Sequence, residues 1–85
     1  MRRRGAPHAE AAALYAHAAD RWEEFGTVPE HAYALLGQGR CLAALGKPEA
    51  EAPLRRAHGL FAAMGYGPAL AEAEVLLGES EAAAV

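Results

Sequence analysis

The chain predicts an all-α fold, and three observations carry that expectation. Alanine, the strongest helix former, supplies 23 of the 85 residues, whereas there is no isoleucine and there are only three valines and one threonine, so β-branched material for a sheet is scarce. Apolar side chains recur at helical spacing in four successive stretches. Those stretches are separated by glycine and proline: Gly26-Thr27-Val28-Pro29, Gly46-Lys47-Pro48 and Gly65-Tyr66-Gly67-Pro68. Four antiparallel helices are expected at about 8–25, 29–45, 48–64 and 68–77. They would lie between a disordered arm, 1–7, and a frayed tail, 79–85.

In the first helix Ala11, Leu14, Tyr15, Ala18, Trp22 and Phe25 form one apolar stripe, with Glu10, Asp20, Arg21, Glu23 and Glu24 mostly outside it. Thr27 or Val28 then suits the cap of the second helix, and Pro29 its first position. On that helix Leu35, Leu42 and Leu45 share a stripe, and Gly39 opens the same side to a close neighbour. Gly46 suits a left-handed residue after the helix end, and Pro48 the start of the third helix. So short a turn makes the two helices antiparallel. Ala50, Leu54, Ala57, Phe61 and Met64, spaced 4, 3, 4 and 3, define the buried face of the third helix. Pro53, five places into that helix, predicts a local kink. The fourth helix carries Leu70, Val75, Leu76 and Leu77.

The strongest organisational signal is an internal repeat. Shifting the chain by 39 places Glu10 on Glu49, Ala11 on Ala50, Tyr15 on Leu54, Ala18 on Ala57, Trp22 on Phe61 and Phe25 on Met64. It also places Gly26 on Gly65, Pro29 on Pro68, Ala32 on Ala71 and Gly39 on Gly78. The order Gly39, Gly46, Ala50, Leu54, Ala57 resembles the tetratricopeptide repeat, with a turn one residue shorter and the closing proline displaced to Pro68. The period exceeds the usual tetratricopeptide length of about 34. It looks more like the longer variants in arrays of large bacterial regulators, including LuxR-type activators with an ATP-binding domain and cyclase-linked ATP-binding proteins. This resemblance spans about one and a half repeats and implies a protein-binding scaffold. The first helix of each pair would line a concave, partner-binding side. Carried onto this chain, that side is Tyr33, Leu36, Arg40, Ala43 and Ala44, continued by Glu72, Val75 and Glu79.

Such a repeat buries its face only against neighbours. With four helices and no polar capping helix, the chain is expected to be a piece of a longer array or to self-associate through an exposed end. The net charge of −3 argues against direct nucleic-acid binding. No apolar run approaches the ~18 residues of a membrane span. The Arg2-Arg3-Arg4 run precedes no hydrophobic stretch, and the single Cys41 excludes an internal disulfide, so the cytoplasm is the expected compartment.

Candidate chemistry is thin. His8, His17, His31 and His58 show no metal-ligand spacing and read as surface histidines rather than a zinc site. Cys41 reads as packing rather than a nucleophile. Glu23-Glu24, and Glu49 with Glu51, read as solvated charges rather than a catalytic pair. Arg55-Arg56 reads as a solvent face before an anion site, and no glycine-rich phosphate loop is present. Trp22, Phe61 and Met64 are core anchors before they are a pocket. The preferred function is therefore binding of a protein or peptide, without cofactor and without enzymatic chemistry. The alternative is a small-molecule sensor with its ligand between helices near Trp22 and Tyr33.

Overall fold

A computed structural model describes the backbone of residues 6–84 and the side chains of residues 7–80. It is all-α. Helices α1 (Ala6–Phe25), α2 (Val28–Ala44), α3 (Glu51–Met64) and α4 (Gly67–Ala84) follow one another, with a 3-10 turn at Pro48–Ala50 leading into α3. No strand occurs among the described residues. No helix among them is long and apolar enough to cross a membrane.

Three near-identical turns set the topology. Gly26, Gly46 and Gly65 have φ of +75°, +71° and +74°, a left-handed conformation that side chains resist. In each turn the amide after the glycine returns to a carbonyl in the last helical turn: Thr27 to Trp22 at 3.2 Å, Lys47 to Leu42 at 3.0 Å, Tyr66 to Phe61 at 3.0 Å. This cap satisfies carbonyls that a helix end leaves unpaired, and it reverses the chain within a few residues. The next helix begins at once, with a proline in its first turn at Pro29 and Pro68. Thr27 occupies the cap position of α2, but its hydroxyl donates back to the Trp22 carbonyl at 3.4 Å and does not cap the new helix.

Pro53 corrects an expectation. The 3-10 turn delays the α-helix to Glu51, so Pro53 is the third residue of α3. There an N–H would have no intrahelical acceptor. The chain changes from 3-10 to α winding just before Pro53.

Helix α2 is central. It packs on α1 and on α3, while α4 packs on α3 and returns against α2; α1 and α3 make no close backbone approach. Two glycines on opposite sides of α2 make this possible. A Cβ at Gly37 would strike the ring of Tyr15 on α1, and one at Gly39 would strike Leu54 on α3. The core is Leu35, Leu36, Leu54 and Phe61 set among alanines of all four helices. Ala50 of the 3-10 turn and Leu54, Ala57 and Phe61 of α3 are completely buried, the face that their 4-3-4 spacing defines.

The first helix departs from its expected stripe. Leu14 is 71% exposed, Phe25 67% and Trp22 39%, while Ala12 and Ala19 are the buried positions. Ala11, Tyr15 and Ala18 are half-buried. The reason is that α1 touches one helix only, so a narrow alanine seam meets α2 and the rest of the apolar stripe lies open. Trp22 is therefore no core anchor, unlike Phe61. The ring of Phe61 lies edge-on to Tyr33 at 4.9 Å and stacked near Tyr66 at 6.2 Å. Helix α4 runs to Ala84, so the expected frayed tail is helical through that residue, as its alanines and glutamates favour. Of the expected arm, residues 1–5 lie outside the described residues, while Ala6 and Pro7 open α1.

Candidate functional site

Between the end of α1 and the start of α2 the packing leaves an open groove of about 380 Å³. Tyr15, Ala18 and Trp22 come from α1, Pro29, Glu30, Tyr33 and Ala34 from α2, and Tyr66 from the turn before α4. Gly37 lets α1 approach α2 at the level of Tyr15, and Trp22 and Tyr33 line the groove nearer the Gly26 turn. Tyr33 is fixed on one side by Phe61 and Tyr66, the latter ring 6.4 Å away, yet stays 50% exposed. Glu30 lies in the first turn of α2, where the helix dipole favours a carboxylate. The lining thus offers four aromatic rings and one carboxylate, with no Lys or Arg. It suits an apolar, aromatic or cationic side chain. A smaller groove of about 290 Å³, lined by His17, Arg21 and Phe25, lies on the far side of Trp22, so the indole forms a ridge between the two.

The expected concave set is only partly a surface. Tyr33 lines the groove. Leu36 is 1% exposed and belongs to the core. Arg40 and Glu72 do come together, but as partners of each other, at 3.0 Å across α2 and α4. Each of those side chains is about half exposed, so the pair is worth at most about 1 kcal/mol. Ala44 and Glu79 are exposed, Ala43 is half-buried, and Val75 is 60% exposed on α4. The groove residues Glu30 and Tyr66 were not among the expected site residues; Tyr15 was expected to serve packing, and Trp22 to serve packing or, in the alternative reading, to lie beside a ligand. The aromatic content of the Gly26 and Gly65 turns was the available signal.

His31 is a second correction: it is buried, not a surface histidine. Its Nδ1 lies 2.9 Å from the Ala19 carbonyl and must donate; its Nε2 lies 3.2 Å from the Arg56 guanidinium and must accept. Arg56 also meets Glu23 at 3.3 Å. One imidazole thereby joins α1, α2 and α3, and Arg56 is not merely solvated. The signal was its spacing, since His31, Leu35, Gly39 and Leu42 share a stripe. His58 pairs with Glu74 at 3.1 Å, and Arg55 with Glu51 at 2.8 Å. Cys41 is a buried free thiol. Among the described residues no three His, Cys, Asp or Glu side chains gather as metal ligands would.

No family model matches this chain, and no curated protein or solved structure matches it.

Proposed function

We propose that the chain is a tetratricopeptide-like interaction module whose α1–α2 groove receives a side chain of a protein or peptide. The observation that carries this reading is the groove itself. Trp22 and Tyr33 are partly exposed on opposite walls, held by helices and not by a mobile loop, beside a carboxylate. Trp and Tyr dominate binding hot spots because they bury much area with little rotamer loss. The resemblance to regulator arrays adds a setting, a scaffold in a bacterial cytoplasmic regulator that links a nucleotide-binding domain to an output domain.

The test is selection from a displayed library of random peptides. Selected peptides are expected to bind with 1:1 stoichiometry, to quench Trp22 fluorescence, and to lose about tenfold or more in affinity on Tyr33→Ala or Trp22→Ala. Peptides whose binding ignores both substitutions would overturn the assignment. A second reading, a small-molecule sensor, is favoured by one observation: the groove lies at Trp22 and Tyr33 and has the volume of a small ligand site. Its openness to solvent favours a peptide side chain. A panel of aromatic and alkylammonium compounds that raises the melting temperature and quenches Trp22, where peptides do not, would reverse that preference.

A further inference from the structure

The repeat makes α1 the counterpart of α3, and α2 the counterpart of α4, so each inner residue has an outer mate 39 positions away. Burial differs between several of these mates. Leu14 is exposed where Pro53 is buried, and Trp22 is partly exposed where Phe61 is fully buried. On α4, Ala71 and Val75 are exposed where Ala32 and Leu36 are buried. Gly78 has nothing within 4 Å of the place its Cβ would take, whereas Leu54 presses on its mate Gly39.

These differences share one cause. Helix α3 lies between α2 and α4, but α1 has α2 alone. What α1 lacks is a helix of the α2 kind, and α4 is of that kind. What α4 lacks is a helix of the α3 kind, and α1 is of that kind. We infer that a second copy of the chain supplies both at once: α4 of one copy docks on α1 of the next, head to tail, repeating the α2–α3 packing. In that register Val75 takes the place of Leu36, and Ala71 that of Ala32. Tyr15, the mate of Leu54, is already packed on Gly37 of its own α2, so the space over Gly78 stays open. One aromatic contact is lost, because Glu72 stands where Tyr33 meets Phe61 and already pairs with Arg40. The junction is therefore weaker than its internal template. The contact is heterologous, so it leaves a free α1 face and a free α4 face after each addition and does not close as a dimer. This inference deepens the interaction-module reading by naming a partner, the chain itself, and a second surface that meets the groove at Trp22.

The experiment is sedimentation equilibrium from about 10 µM to 1 mM, the range of weak association. The wild-type average mass is expected to rise past that of a dimer. Leu14→Glu on α1 and Ala71→Glu on α4 each replace an exposed residue, so both are expected to keep wild-type circular dichroism and melting. Each alone is expected to remain monomeric. Mixed in equal amounts, they are expected to form dimers and nothing larger, since one intact face of each kind remains. A wild-type monomer throughout the range would overturn the inference. So would a mass that stops at dimer, or an Ala71→Glu variant that still dimerises through a two-fold α1 contact. Neither substitution touches the groove, so peptide binding that survives both distinguishes failure of the junction from failure of the interaction-module reading.

Discussion

Helices α2 and α3 are inner, α1 and α4 are outer, and the repeat supplies the same kinds of residue to both regions. Phe61 and Trp22 show the contrast most sharply. Both are large aromatics seven residues after another bulky side chain, Tyr15 or Leu54, and four before a left-handed glycine. Phe61 has helices on two sides and is fully buried; Trp22 has a helix on one side and forms a surface ridge. A helix in a one-dimensional stack buries what its neighbours allow, and composition comes second.

The largest expected effect separates these two residues. Phe61→Ala should destabilise the fold by about 3–5 kcal/mol, the usual loss for a buried aromatic. Trp22→Ala should cost less, about 1–3 kcal/mol, because only part of the indole is removed from water. Urea titration followed by circular dichroism measures both. Similar losses would mean that Trp22 is as well packed as Phe61, and the contrast would fall.

A smaller effect changes sign. Gly39→Ala forces a Cβ into Leu54 and should destabilise by about 1–3 kcal/mol. Gly78→Ala meets open space within α4 and should stabilise by up to about 1 kcal/mol through helix propensity. The same titration reads both, and equal signs would show that the α2–α3 approach is looser than the structure has it.

Much of the fold could be read in the sequence because its decisive signals are local. Each left-handed glycine acts within its own turn, and the spacing from Ala50 to Phe61 defines one face whatever the surroundings. What escaped depends on how many neighbours a helix has. Periodicity put Leu14, Trp22 and Phe25 on a buried stripe, but it carries no information on whether a second helix covers them. The converse holds on α2, where Leu36 and His31 are enclosed because three helices approach. Pro53 was misplaced for a different reason: a 3-10 turn changes the register at which the α-helix begins. The groove was half legible. Tyr33 could be placed on a face, whereas Tyr66 and Glu30 join it only through the folding back of two turns.

Native-state amide hydrogen exchange, at a concentration low enough to hold the chain monomeric, tests the neighbour argument most directly. The account predicts that amides from His31 to Cys41 and from Leu54 to Phe61 exchange only through the highest-energy openings. Those of Ala11 to Tyr15 and Ala71 to Val75 should open at a free energy lower by about 2 kcal/mol or more, roughly 30-fold faster. Equal protection across all four helices would contradict it, because the outer pair would then be held as firmly as the inner one.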